Sequence, residues 1–89
     1  MGRTYTVQLT AAAERDLGKI KDRTALHRIA RAIDGLGANP RPPGMRALSG
    51  DSSILRIRVG DYRILYTIED KALIVLVVRA GHRRDVYPR

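Results

Sequence analysis

The fold is decided by residues 54–66, ILRIRVGDYRILY, which predict two strands joined by a two-residue Gly-Asp turn. A turn of this length fixes the strand register, so that Arg58 faces Arg63 and Ile57 faces Ile64. Because side chains alternate between the two faces of a strand, one face of this hairpin is apolar and suited to a core. That face carries Leu55, Ile57, Val59, Tyr62, Ile64 and Tyr66.

The opposite face of the predicted hairpin carries three arginines, Arg56, Arg58 and Arg63. Like charges placed directly opposite each other destabilise a sheet, by roughly a few tenths of a kcal/mol or more. A fold does not need that arrangement, whereas an anionic ligand would explain it, and planar guanidinium groups suit phosphate. A solvated surface accounts for a single arginine. Three on one face of a hairpin therefore indicate a binding surface for a phosphate backbone.

The composition limits the classes of protein to consider. The 89 residues suffice for one domain, residues 1–89, and the net charge of +8 predicts acidic partners such as nucleic acid. Arginine supplies 14 of the 17 basic residues, which suits phosphate recognition. The chain has no cysteine, and its two histidines cannot form a zinc site alone, so no metal or cofactor is expected. No signal peptide or membrane-spanning run is recognisable, so a cytoplasmic protein without a membrane partner is expected.

The first half of the chain predicts a strand followed by two helices. Residues 4–9, TYTVQL, alternate as a half-buried strand does. Thr10 is a suitable N-cap for a helix over residues 11–21, and Asp22 for a second helix that ends near residue 35 or 37. Both helices carry an apolar stripe, and the short connection between them predicts a helical hairpin.

The second half predicts strands after a stiff connection at residues 39–44, NPRPPG. Residues 45–50 have room for a short strand, and the arginine-bearing hairpin follows. After a turn at residues 69–71, the continuous apolar run 72–79 predicts a strand in a central sheet position covered on both faces. A basic tail, residues 80–89, ends the chain. The order β-α-α-β-β-β predicts an α+β fold, in which an antiparallel meander sheet has the helical hairpin packed on one face and the arginines on the other.

Three short motifs match a known family in order and spacing: AERDL at residues 13–17, GDYRILY at 60–66 and HRRDVY at 82–87. Through them, nearly the whole chain resembles the RelE/ParE superfamily of bacterial type II toxin–antitoxin systems. That superfamily contains two activities. RelE-like members are ribosome-dependent endoribonucleases that cut messenger RNA in the A site, whereas ParE-like members share the fold and poison DNA gyrase. The set of basic residues favours the RelE-like branch.

The resemblance also implies which residues act in a nuclease of this kind. Two basic residues of the second predicted strand, an arginine of the third, an arginine after the fourth and a terminal tyrosine act together. In this sequence these positions fall on Arg56, Arg58, Arg63, Arg83 or its neighbour Arg84, and Tyr87. The strand arginines would bind the scissile phosphate, and Arg83 would stabilise the transition state or assist the leaving group. Tyr87 is the expected general base, because neighbouring guanidinium groups would lower the pKa of its phenol from the usual value of about 10.

Two leading functions remain open at this point, beside the weaker alternative of a nucleic-acid-binding domain without toxicity. The first is a ribosome-dependent messenger RNA endoribonuclease that works through 2′-hydroxyl attack without a metal ion. The second is a ParE-like inhibitor of DNA gyrase without enzymatic activity. The resemblance implies a cognate antitoxin in both cases, with the ribosome and messenger RNA as partners in the first and gyrase as the partner in the second.

Overall fold

The computed structural model describes residues 4–82, which form one five-stranded sheet and two helices. The elements are β1 (Thr6–Leu9), α1 (Ala11–Gly18), α2 (Arg23–Ala38), β2 (Arg46–Leu48), β3 (Asp51–Val59), β4 (Tyr62–Glu69) and β5 (Ile74–His82). The strands lie in the order β1-β5-β4-β3-β2. Strand β1 is parallel to β5, and the other pairings are antiparallel. The predicted α+β class, the meander and the helical hairpin are confirmed, and residues 45–50 supply the additional short strand β2 at the sheet edge.

The β3–β4 hairpin has the predicted register. Arg58 pairs with Arg63 and Ile57 pairs with Ile64. The turn residue Gly60 has a positive φ of 60°, a conformation that glycine adopts without steric cost. Alternation along the strands therefore turns the apolar residues toward the helices and the arginines away from them.

The core joins the helical hairpin to the centre of the sheet. It comprises Ala13, Ile29, Ile33, Leu36, Ile57, Ile64, Tyr66, Val75, Val77 and Ala80. At its edge the Tyr66 hydroxyl donates to the Pro40 carbonyl oxygen at 2.7 Å, and burial raises the pKa of Tyr66 to about 12. The phenol therefore stays protonated and ties the 39–44 connection to the sheet. Neither helix in the described part of the chain is long and apolar enough to cross a membrane.

The predicted helix caps are confirmed, but the first helix is shorter than predicted. The Thr10 hydroxyl accepts from the Ala13 amide at 3.0 Å, and the Asp22 carboxylate accepts from the Ala25 amide at 3.1 Å. Helix α1 ends at Gly18 rather than at residue 21. The two following amides donate to carbonyls three residues back, at 3.2 Å each, and these bonds close the last turn tightly.

Strand β5 is central in the sheet, between β1 and β4, but two details of its prediction are wrong. It begins at Ile74 rather than at residue 72, because Leu73 has a positive φ of 55° and belongs to the preceding turn. Its burial is also one-sided. Val75 is fully buried on the helix side, whereas Leu76 and Val78 are only half-buried, so the strand is not covered on both faces.

Asp16 completes the edge of β5 beyond the point where β1 ends. The β1 pairing stops at Val77, and the Asp16 carboxylate then accepts from the Ala80 amide at 3.0 Å. The same carboxylate forms a bidentate ion pair with Arg79, at 2.7 Å to Nε and 3.1 Å to Nη2. Burial alone would raise the pKa of Asp16, but these hydrogen bonds outweigh it and hold the pKa below its usual value. The helix thus takes the place of a strand and lets β5 continue to His82.

We expect Asp16→Asn to destabilise the fold by about 1–2 kcal/mol at neutral pH, because the amide keeps the shape but loses the charged pair. The pKa of Asp16 in the folded state lies below its unfolded value of about 3.9. The contribution of the pair is therefore present above that pH and is lost as the pH falls through the folded pKa. Urea unfolding of both proteins between about pH 7 and about pH 2.5 measures this effect. The two stabilities should converge in acid, and a constant gap would contradict the role given to the carboxylate.

Gly37 lies where α2 passes close to the start of β1. A Cβ atom at this position would lie 3.0 Å from the Tyr5 carbonyl oxygen, whereas a Cβ at Gly35 would meet nothing within 4 Å. Replacing a helical glycine by alanine gains about 0.8–1 kcal/mol where there is room. We expect Gly35→Ala to raise the midpoint of thermal unfolding and Gly37→Ala not to, because the contact with the Tyr5 carbonyl offsets the gain. Calorimetry of this matched pair tests the prediction, which equal stabilisation by both variants would refute.

Candidate functional site

The arginine side of the sheet carries its charges in two rows that run across the strands. The first row joins Arg58 on β3, Arg63 on β4 and Gly81 on β5 as register partners. Because Gly81 has no side chain, β5 adds nothing to this row that could neutralise the two arginines. Like charges directly opposite each other repel, so this row is unfavourable for the sheet by itself.

Arg63 is the most unusual residue of this row, because only 7% of its surface is exposed. Its Nη1 donates to the carbonyl oxygens of Gly60 and Tyr62, at 3.4 and 3.2 Å, which are long distances for such bonds. Within residues 4–82, its Nε has no hydrogen-bond partner and no carboxylate forms an ion pair with it. Burying a charge without a counter-ion is costly. An anion bound here would supply the missing acceptor.

The second row lies two residues away along the strands. It joins Arg46 on β2, Arg56 on β3, Leu65 on β4 and Arg79 on β5. Leu65 is buried between its charged neighbours, and Arg79 is paired with Asp16. Arg56 is half-buried, and its Nε has no hydrogen-bond partner among the described residues. The positive charge without a counter-ion is therefore concentrated at the β2–β3 end of this row.

Three of these arginines line a single groove between α2, the 39–44 connection and the edge of β3. The groove has a volume of about 560 Å³, and its charged lining residues are Arg46, Arg56 and Arg58. The other lining residues are Ala32, Gly35, Leu36, Asn39, Pro42, Pro43, Gly44 and Ile57. None of these lining residues is acidic, so among the described residues the lining combines apolar side chains with positive charge that no carboxylate offsets.

The 39–44 connection, which forms one wall of the groove, is held by hydrogen bonds to other parts of the chain. Arg41 donates to the Asp70 carboxylate at 2.9 and 3.2 Å, and the Tyr5 hydroxyl donates to the same carboxylate at 2.6 Å. The hydrogen bond to this carboxylate raises the pKa of the Tyr5 phenol. These contacts join the connection to the start of β1 and to the β4–β5 turn, so the wall is held in place before any ligand binds.

A second cleft lies at the β5 end of the sheet and contains charges of both signs. It is lined by Asp16, Lys19, Ile20, Lys21, Asp22, Tyr62, Arg79, Ala80, Gly81 and His82. The Tyr62 ring packs edge-on against His82, with centroids 6.0 Å apart and an interplanar angle of 78°. With two carboxylates in its lining, this cleft is a poorer match for a polyanion than the arginine rows.

The structure places three of the six predicted site residues on one side of the sheet: Arg56, Arg58 and Arg63. The other three lie outside the described residues, and their roles remain predictions: Arg83, Arg84 and Tyr87. Sequence reasoning missed Arg46. Strand β2 is only three residues long, and its register with β3 shifts at Ala47, so neither alternation nor a turn signal reveals that Arg46 faces Arg56.

The chain matches known toxins along most of its length. Residues 7–87 match the family described as the ParE toxin of the type II toxin–antitoxin system parDE. The chain is also 38% identical to Toxin RelG of Mycobacterium tuberculosis over 88 residues, which cover 96% of this chain and 98% of that protein. The chain belongs to the RelE/ParE superfamily of type II toxins. The family resemblance of the sequence motifs is thereby confirmed.

Solved structures of RelE/ParE proteins have the same fold. The toxin–antitoxin complex RelBE2 of M. tuberculosis matches with a TM-score of 0.78 and 33% identity, over 93% of this chain and 95% of that one. The archaeal RelE–RelB complex from Pyrococcus horikoshii OT3 matches with a TM-score of 0.77 and 23% identity, over 93% of this chain and 99% of that one. At that identity the archaeal match shows the fold alone. Two helices on a five-stranded mixed sheet are thus the RelE/ParE toxin architecture.

We expect Arg63→Met to leave the free toxin as stable as the wild type or up to about 2 kcal/mol more stable, because it removes a buried charge that has no carboxylate partner within residues 4–82. Added inorganic phosphate should raise the midpoint of thermal unfolding of the wild type more than that of the variant, since only in the wild type does phosphate supply an acceptor to the buried guanidinium group of Arg63. Arg15→Met, which removes an exposed arginine of α1, controls for net charge. A clear loss of stability in Arg63→Met alone would show that Arg63 supports the fold rather than a ligand.

Proposed function

We propose that this RelE/ParE toxin cleaves messenger RNA on the ribosome, with the row of Arg58 and Arg63 as its phosphate-binding centre. The observation that carries the proposal is the buried Arg63, whose Nε lacks an acceptor among residues 4–82 and whose cross-strand partner is another arginine. A phosphodiester gains negative charge at its equatorial oxygens in the transition state. Fixed guanidinium donors stabilise such charge most strongly where water is excluded. A surface that only docks onto a folded protein has no need of a buried charge of this kind.

The proposed reaction is an in-line displacement at phosphorus. The ribose 2′-oxygen loses its proton to a general base and forms a bond to phosphorus, while the bond from phosphorus to the 5′-oxygen breaks. The leaving 5′-oxygen takes up a proton, so the products are a 2′,3′-cyclic phosphate and a 5′-hydroxyl. Arg58 and Arg63 would hold the phosphate, Tyr87 would accept the 2′-hydroxyl proton, and Arg83 or Arg84 would assist at the leaving group. The roles of the last three residues rest on the sequence resemblance.

Dependence on the ribosome agrees with the chemistry of this site. Arginines on a sheet bind phosphate oxygens, and the reaction also needs the 2′-oxygen, phosphorus and 5′-oxygen in line. A flexible free RNA spends little time in that geometry, whereas a messenger fixed in the A site is already oriented. We therefore expect much slower cleavage of free RNA than of ribosome-bound messenger.

A cognate antitoxin is the further partner we propose. The M. tuberculosis and P. horikoshii relatives are both known in toxin–antitoxin complexes. The net charge of +8 and the arginine rows favour an acidic partner segment. An antitoxin that covered Arg58 and Arg63 would exclude RNA by occupying the same positive surface.

Gyrase inhibition is the second candidate function, because the family that matches residues 7–87 is named for ParE. The two candidates differ in what Arg63 is required to do. In a nuclease this residue contacts the reacting phosphate, so its loss stops cleavage. In a gyrase inhibitor messenger RNA stays intact with or without it.

The deciding experiment is in vitro translation in the presence of the purified toxin, with the messenger read by primer extension. We expect cuts within A-site codons, slowed at least about 100-fold by Arg63→Ala, because a buried charged donor to the transition state is lost. Arg15→Ala, at an exposed position on α1, should cut as the wild type does. Intact messenger with continuing translation would overturn the nuclease proposal, and a gyrase supercoiling assay would then test the alternative.

Tyr87→Phe tests the proposed general base by removing only the phenolic hydroxyl. We expect cleavage to be lost while binding to the ribosome, measured by co-sedimentation, is unchanged. Proton abstraction contributes about 10²–10⁴-fold to such reactions, so the residual rate should fall by that order. Loss of ribosome binding together with cleavage would contradict the role of Tyr87 as a base.

A further inference from the structure

We propose that Arg46 and Arg56 form a second phosphate-binding site, which holds a phosphate of the messenger adjacent to the one that is cleaved. This inference rests on the proposed ribonuclease function. It adds Arg46, a residue outside every motif of the sequence, and it moves Arg56 from the scissile phosphate to the neighbouring one. The ligand class is a phosphodiester of single-stranded RNA.

Register pairing brings the two side chains together. Arg46 on β2 pairs directly with Arg56 on β3, and both line the same groove. The Arg56 Nε is buried and has no hydrogen-bond partner among the described residues. Cross-strand pairs of like charge destabilise a sheet, and no acidic side chain of the described residues lines the groove to offset the repulsion. One phosphate oxygen pair placed between the two guanidinium groups would satisfy both.

The spacing of the rows suits successive phosphates. The Arg46–Arg56 row lies two residues from the Arg58–Arg63 row, which is about 6.6 Å along the strands. That separation is comparable to the distance between neighbouring phosphates in an extended nucleic-acid strand. Arg58 belongs to the first row and also lines the groove, so it joins the two sites into one continuous positive track.

A protective role for Arg46 does not explain these observations. Charged residues on edge strands are common because they prevent strand-to-strand aggregation. Such a charge needs only to be solvated, and Arg46 is exposed enough to fill that role without Arg56. It does not account for a half-buried Arg56 placed directly opposite, whose Nε has no partner within residues 4–82. The pair is therefore better explained by a shared anionic ligand.

The experiment uses messengers with a single neutral methylphosphonate in place of the phosphate on either side of the cleaved one, in a ribosome-bound single-turnover assay. For the wild type, we expect one of these replacements to raise the half-saturating toxin concentration about 5- to 20-fold, with little change in the rate at saturation. Arg46→Ala should show the same loss on unmodified messenger and no further loss on that methylphosphonate. Arg46→Lys should restore part of the affinity, and Arg15→Ala should match the wild type.

Three outcomes would overturn the proposal. Equal sensitivity of the wild type and Arg46→Ala to both methylphosphonates would show that Arg46 contacts neither phosphate. Unchanged cleavage by Arg46→Ala, together with weaker binding of an acidic antitoxin peptide, would assign the groove to a protein partner. Failure of the wild type to cut unmodified messenger would refute the ribonuclease function itself. This outcome is distinguishable from the other two, because the wild type and every variant would then be inactive. Thermal unfolding of each variant confirms that the exposed Arg46 position can be changed without loss of the fold.

Discussion

The register between β3 and β4 is the constraint on which both sides of the sheet depend. A slip of one residue would move Ile57 and Ile64 away from the helices and turn the arginines toward the core. Each buried aliphatic side chain contributes about 1.5–3 kcal/mol, so such a slip would cost far more than the repulsion between two arginines. The apolar side of the hairpin thus holds Arg58 and Arg63 opposite each other. The arginine side of the sheet is unfavourable by itself and exists because the core beneath it is favourable.

The arginines of this side differ in whether the fold neutralises them. Arg79 has a carboxylate partner in Asp16, which also satisfies the backbone of β5, so that pair serves the structure. Arg63 is buried more deeply and has no carboxylate partner within residues 4–82. The free-energy cost of desolvating Arg63 is therefore incurred when the chain folds. An anion that binds later meets a donor that is already fixed in position and shielded from water. In a small domain with modest stability, this arrangement lowers a free energy of unfolding that is already small.

Local signals predicted most of the fold and the common side of the strand arginines, whereas contacts distant in sequence were missed. The Gly60 turn set the β3–β4 register, and with it the common side of Arg56, Arg58 and Arg63. The caps at Thr10 and Asp22 could also be read from neighbouring residues. Leu73 has a positive φ without the glycine that usually marks one, so the start of β5 was misplaced. Arg79 and Asp16 are 63 positions apart in the sequence, and the Arg46–Arg56 pair lies beside a register shift between β2 and β3. Neither pair therefore produces a local sequence pattern.

The chemistry of the arginine rows bears on how the proposed nuclease would select its target. Guanidinium groups along strands contact phosphate oxygens, which are the same in every nucleotide, so they set position and not sequence. Within residues 4–82 the two rows contain only arginines, a leucine and a glycine, and none of these side chains offers an acceptor to a base edge. As long as the guanidinium groups are bound to phosphates, discrimination among messengers would arise from the partner that presents the RNA. A surface that binds only phosphates suits a target whose conformation another structure has already fixed, and in the proposed function that structure is the ribosomal A site.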